Sequence, residues 1–302
     1  MSILPQILIN GLLSGSLIAL IALGLNLIYG NMKFMNFAHG EMAMLGAYFY
    51  YLFYITLTWP VLPSILAALA SCVVCGLLIN KIIFSPMKRE SQWTLLILSV
   101  GVGMFIKSAV QLIAGSFTLN FVRETYTPKV YEFANVTITQ NQILVLMSTV
   151  SILLSLHFLL TKTRLGKAIR AVSDNMQLAS VVGIGVNRTI SWIFVISSSI
   201  AGFAGILIGY EQSLSPNMGQ MLSVYAFAAV IVGGLGSVWG AVLGGFLVGI
   251  LQDLLVGIDF GIFSIPTSYK SAIAFGLVMV FLILRPRGLF GISLEEDKTS
   301  KA

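Results

Sequence analysis

Charge is what this 302-residue chain has least of: 17 Lys and Arg and 11 Asp and Glu make up 9% of it, against roughly 25% in soluble domains. With 57% hydrophobic residues and a mean hydropathy of +0.95, its apolar surface cannot be hidden in one soluble core. Cysteine is nearly missing, and Cys72 and Cys75 fall inside an apolar run, where C-x-x-C reads as small packing residues rather than a redox pair. His39 and His157 are far apart with no H-x-x-x-H spacing, which argues against a metal site. No G-x-S-x-G and no Ser/His/Asp grouping offers a nucleophile. No G-x-x-x-x-G-K-[ST] loop occurs either, so the chain cannot bind ATP in the Walker fashion. No cofactor is expected in this chain, and any ATP and Mg would belong to a partner. The N-terminus lacks a basic region before its first apolar stretch, so that stretch is expected to remain as a span.

Long hydrophobic runs fill the space these absences leave. A spanning helix needs about 20 mainly apolar residues, and eight or nine segments qualify: 3–30, 41–57, 61–84, 93–115, 140–160, 189–210, 222–235, 237–257 and 269–284. The expected fold is an all-α integral membrane protein, a polytopic helical bundle in one permease-like unit over 1–302. The formal net charge of +6 would raise nucleic acid in a soluble protein. Here the basic residues collect in short loops, as the positive-inside rule expects, and nucleic acid is excluded as a partner. Residues 81–90 carry Lys81, Lys88 and Arg89 against Glu90, whereas 116–139 balance Arg123 and Lys129 with Glu124 and Glu132. The first loop is therefore expected to be cytoplasmic and the second external. The side of the N-terminus depends on whether residues 31–57 are re-entrant, and stays open.

Residues 161–188 form a polar, basic, helix-prone loop between two spans, with Lys162, Arg164, Lys167, Arg170 and Arg188 against Asp174. Its small residues Ala168, Ala171, Ala179 and Gly183 recur at three- or four-residue spacing, which would let another protein approach one helical face. A cytosolic partner is the expectation.

Two interrupted segments stand out. Gly30–Tyr48 places Asn36, His39 and Glu41 between hydrophobic runs, and Ser215–Gly236 has a short apolar stretch. Broken or short spans at matching positions point to a transport route, with ordinary capped helix ends as the competing reading; a re-entrant or broken helix follows if the first holds. No internal sequence repeat joins the halves. Gly236, Gly240 and Gly244 share an i, i+4, i+8 spacing beside Gly233 and Gly234, and Gly245/Gly249, Gly11/Gly15 and Gly205/Gly209 repeat it, the pattern of close helix packing in lipid. Glu41 is the foremost intramembrane charge. Lys107 must snorkel or find a carboxylate, and Asp253 and Glu211 lie near segment ends, where solvation is expected.

Four stretches resemble one family in its own order: Asn36–Glu41 with Met44–Tyr48; Ala226–Ser237 with Gly240–Gly245; Arg285–Gly291; and Arg170-Ala171, Asp174-Asn175, Ala179 and Gly183-Ile184 followed by Phe194 and Ala201–Gly205. They are similar to permeases of branched-chain amino-acid ABC importers, of the LivH type. The resemblance implies an inner-membrane subunit of a bacterial importer, working with a second related permease or a second copy of itself. Two cytosolic ATPases and a periplasmic substrate-binding protein complete the implied assembly. It further implies that Gly166, Arg170, Ala171, Asp174, Asn175, Ala179 and Gly183 belong to coupling helices on the ATPase, with Ser173 or Asp174 capping the second. The external loop would meet the binding protein. Gln252 and Lys107 depart from the family pattern, glutamate and a neutral residue being usual there. A urea or short-chain amide permease of the same superfamily, an ion channel and a structural membrane subunit are the alternatives.

Overall fold

The structure is a computed structural model describing residues 4–88, 90–121, 129–133, 136–257, 266, 269–285 and 288–290. Arg89, Arg123, Glu124, Pro286, Arg287 and Gly291, used above, lie outside the described residues. The chain is mostly helical. In order come α1 (Leu4–Met32), α2 (Ala38–Tyr51) with a π-helical turn Leu52–Thr56, and α3 (Val61–Ile79), which runs through a second π turn, Asn80–Phe84, into α4 (Ser85–Met87). Next are α5 (Gln92–Ala114), strands β1 (Val130–Phe133) and β2 (Val136–Thr139), and α6 (Gln140–Lys162). The remainder is α7 (Arg164–Asp174), α8 (Met176–Val181), α9 (Val186–Glu211), α10 (Met218–Gly233), α11 (Val238–Gly257) and α12 (Lys270–Leu284).

Among the described residues six helices are long and apolar enough to cross a membrane: α1, α3 with its continuation, α5, α6, α9 and α11. The expectation of eight or nine equivalent segments is thus coarser in the structure, because α2, α10 and α12 are shorter than a bilayer-spanning helix. The helical class holds, with one small addition. β1 and β2 pair antiparallel, Val130 opposite Thr139, inside the loop 116–139, where alternating Val, Tyr, Thr and Ile favour strand. Thr139 then starts α6 with a capping box, its hydroxyl accepting from Gln142 N while the Gln142 side chain accepts from Thr139 N.

Burial sorts the helices. In α1 and α9, 72% of the most apolar window is buried inside the protein, against 22–28% for α3, α5 and α6. The first two form the centre; the others leave most of their apolar surface for lipid. Close approach at the centre depends on small residues, as the glycine spacing predicts. Gly245 and Gly249 of α11 sit against Ala19 and Gly15 of α1, and a Cβ on Gly205 of α9 would stand 1.8 Å from the Ala43 carbonyl of α2. Gly236, however, is not on that helical face: its φ is +85° and it lies in the turn before α11. Gly233 instead meets Gly240 across the α10–α11 turn, and Gly244 meets Ala229; Gly234, in the same turn, has φ +112°.

Contacts fix the two ends of the bundle. Gln6 near the start of α1 exchanges hydrogen bonds with Thr137 of the hairpin, so the beginning of α1 shares an end with the near-neutral loop. Its other end meets the basic loop, where Ser173 Oγ donates to the Gly30 carbonyl at 2.9 Å.

Candidate functional site: two interrupted spans and a docking segment

At the far end of α1 the chain turns at Lys33, φ +58°, and continues without helical structure to Phe37 before α2 begins. His39 Nε2 donates to the Ile21 carbonyl at 3.1 Å, which sets the start of α2 well inside the length of α1. α2 then runs to an aromatic cluster of Tyr50, Phe121 and Tyr210 near the hairpin end. α10 mirrors it. Its preceding loop is tied by Leu214 to Leu119, and its first turns lie antiparallel against the start of α2: Gly40 faces Gly219 and Ser223, and Phe37 packs on Phe227 with ring centroids 4.3 Å apart. Two half-length helices thus overlap at their N-terminal ends inside the bundle. Non-helical backbone at such depth is tolerated only within protein or beside a polar route.

The three residues singled out in the first segment do different work here. Asn36, 3% exposed, starts α2: its Oδ1 accepts from Ala38 N at 3.1 Å, while Ser99 Oγ of α5 accepts from Phe37 N at 3.0 Å. His39 is a core side chain, with Ser197 Oγ 3.3 Å from Nδ1 in addition to its Ile21 bond. Glu41 is buried, and its Oε2 has no hydrogen-bond partner. That carboxylate lies over Gly219 in the first turn of α10, within electrostatic reach of Lys107. Helix N-termini favour negative charge. Lys107, half-buried, reaches Gln220 Oε1 at 3.4 Å, so it answers the membrane problem with a polar cluster. Asp253 is buried and ion-paired with Lys270, correcting the expectation of a solvated carboxylate.

The basic loop folds as two short helices, α7 and α8. Thr163 caps α7 by accepting from Gly166 N at 3.0 Å. Ile169 and Val172 point inward, while Lys167, Arg170 and Asp174 are exposed. The second cap is Asn175, one residue past Asp174: its Oδ1 accepts from Leu178 N at 2.9 Å, so neither Ser173 nor Asp174 caps α8. Ala179 is buried in this chain, correcting its placement on an outward small-residue face, and Gly166, which the resemblance implies for the ATPase contact, is buried too, the site of an added Cβ lying against the Leu160 carbonyl. Gly183, φ +86°, ends α8 by the paired bonds Gly183 N to Ser180 O and Ile184 N to Ala179 O, a Schellman stop that favours glycine. Ala171 is half-buried. What the spacing argument overlooked is apolar: Leu178, Val181 and Val182 are 61%, 81% and 67% exposed. The signal was available as three aliphatic residues in a basic loop.

Interrupted half-helices meeting in the bundle, a polar cluster at their junction and an exposed apolar tip on a basic loop define a multi-pass membrane protein of transporter type. The chain belongs to the family described as branched-chain amino acid transport system / permease component, which it matches over residues 7–283. It is 32% identical over 300 residues to the high-affinity branched-chain amino acid transport system permease protein BraD of Pseudomonas aeruginosa, covering 95% of each chain. It is 29% identical over 304 residues to LivH of Escherichia coli K12, again over 95% of each. A probable branched-chain amino acid transport permease protein LivH of Methanocaldococcus jannaschii is 28% identical over 97% of this chain and 94% of that one.

Proposed function

We propose that residues 1–302 act as one permease unit of an ATP-driven importer that carries branched-chain amino acids across the bacterial inner membrane. The observation that carries this reading is likeness over nearly the full length of relatives named for that transport. In this reading the chain crosses the membrane nine times. α1 starts outside with the hairpin loop, residues 33–56 and 212–233 each cross as a short non-helical lead followed by a helix, and α7 and α8 lie inside. Glu41 supplies a negative charge beside the route for the substrate ammonium, and α10's first turn offers N–H groups to its carboxylate. Leu178, Val181 and Val182 seat in the cytosolic ATPase, flanked by Arg170, Asp174 and Asn175. A second related permease or a second copy completes the membrane unit, two ATPases bind ATP and Mg, and a periplasmic binding protein delivers substrate to the loop 116–139.

The test co-expresses the chain with these partners and follows uptake of labelled leucine, glutamate and urea. Leucine should accumulate in an ATP-dependent way, and a Val181→Asp variant should insert in the membrane yet neither co-purify with the ATPase nor transport. Uptake of urea instead of leucine would replace this reading with the amide-permease alternative, and ion conduction by the chain alone with the channel.

A further inference from the structure

α3 and α5 both pack on α2 and scarcely touch each other. Between them runs a groove of about 660 Å³. Leu78, Ile79 and Ile83 of α3 and its continuation form one wall, Ile97, Gly101 and Phe105 of α5 the other, and Leu45 of α2 lies at the floor. Cys75 brings the one side-chain heteroatom of the lining. The face is open: Ile97 is 70% and Phe105 76% exposed, and an added Cβ on Gly101 would meet nothing within 4 Å. The α5 wall, from Ile97 to Ile106, is about 14 Å long at roughly 1.5 Å per residue, against roughly 15 Å for half of a bilayer's hydrocarbon. The groove therefore has the reach of one leaflet.

One end of the groove is basic. The connection from α3 to α5 carries exposed Lys81 and Lys88 beside a single acid, Glu90. Lys88 Nζ donates to Asn187 Oδ1 at 2.6 Å and keeps further protons to give; Arg188, next to that asparagine, is exposed as well. Lys33 joins the same end, because Phe34 beside it packs on Phe84 with ring centroids 5.2 Å apart. Trp93, 75% exposed, stands one turn before Ile97 on the stripe that continues to Gly101 and Phe105, the place of an interfacial aromatic. Apolar walls of leaflet length that end at exposed cations suit an acyl chain with a negative headgroup, whereas a partner's spanning helix would need about 30 Å of wall. We infer that this groove holds an anionic phospholipid, one acyl chain along Gly101 and the headgroup at Lys81 and Lys88. Val102 and Ile106 line the groove, and Gly103 between them lies beside Glu41. A chain seated there braces the part of α5 that borders the carboxylate. Which leaflet supplies the lipid follows from the proposed function; the binding does not rest on it.

The experiment incubates the full-length permease, purified in detergent, with an equimolar mixture of dioleoyl phosphatidylglycerol and dioleoyl phosphatidylethanolamine, and reads bound lipid by native mass spectrometry. The first, saturable adduct should be phosphatidylglycerol, favoured by about 25-fold, or about fivefold for each of the two lysines near the anionic headgroup. Lys81→Gln should lower that preference to about fivefold, and Lys81→Gln/Lys88→Gln should bring the two lipids close to parity. Gly101→Trp should remove the adduct of either lipid, because its indole lies where the chain would. Gly276→Trp on α12, where an added Cβ likewise meets nothing within 4 Å, should keep it. The two tryptophan variants are compared at equal folded fraction, set by thermal unfolding in the same detergent. Equal retention of the two lipids, a preference unchanged in the double lysine variant, or an adduct that survives Gly101→Trp overturns the assignment. So does a dimer of the permease that Gly101→Trp dissolves, which gives the groove to a second copy. Because neither substrate nor ATPase is present, failure of the uptake experiment leaves this result standing.

Discussion

His39 and Glu41 sit two residues apart on α2, both buried, and their surroundings are opposites. Around His39 the ring nitrogens have partners: Ile21 O lies 3.1 Å from Nε2 and Ser197 Oγ 3.3 Å from Nδ1, the one Ser197 hydroxyl proton being shared with the Gly24 carbonyl 2.8 Å away. Those contacts tie α2 to α1 and α9, the buried centre. Around Glu41 one carboxylate oxygen has no partner, a lysine stands within electrostatic reach, and the neighbours are the edges of α5 and the first turn of α10. Burial is shared; satisfaction is not. A buried polar group whose bonds are all made holds helices together, whereas one left unpaired is available to something that arrives.

Three substitutions would break or sharpen that contrast, in descending order of their effect on stability. Gly205→Val attacks the scaffold both residues share, because its side chain would drive into the Ala43 backbone; overpacking there should cost at least about 3 kcal/mol and remove folded protein from the membrane fraction. His39→Leu should lower stability by roughly 1–3 kcal/mol through two lost hydrogen bonds, read as a lower unfolding temperature in detergent. Its transport per folded molecule should match wild type, and a tenfold drop would mean the imidazole meets substrate. Glu41→Gln should change stability least, by no more than about 1 kcal/mol, the size of a charge–helix-dipole interaction. Leucine uptake per folded molecule should nonetheless fall sharply, and unchanged uptake would leave Glu41 a packing residue like its neighbour.

Hydrophobic run length made the membrane class and the long helices legible, since α1, α5, α6 and α9 each follow a long apolar stretch, broken in α5 by Lys107 alone among charged residues. The interrupted spans were legible too, because Asn36, His39 and Glu41 break one run and the second is short. What sequence alone could not supply was facing. Ala179 and Val181 are both small or aliphatic members of one short helix, yet only the tertiary contact of α8 with the bundle makes the first 3% exposed and the second 81%. Gly236 failed for a related reason: i, i+4 spacing is indistinguishable from a helical face until a positive φ places the first glycine in a turn. The hairpin was hidden because four-residue strands carry little periodic signal beside twenty-residue helices. The pairing of Asn26 with Gly236, 210 residues apart, has no local signature at all.

The loop leading into α10 is held at Leu214 by two backbone bonds to Leu119, at 2.7 and 2.9 Å. Leu119 lies five residues beyond the end of α5, in the stretch that leads toward the hairpin, and Leu214 lies four before α10. This clasp splices two connections into one: the chain just past α5 and the chain just ahead of α10 cannot shift independently at Leu119 and Leu214, and Phe121 against Tyr210 seals the same seam.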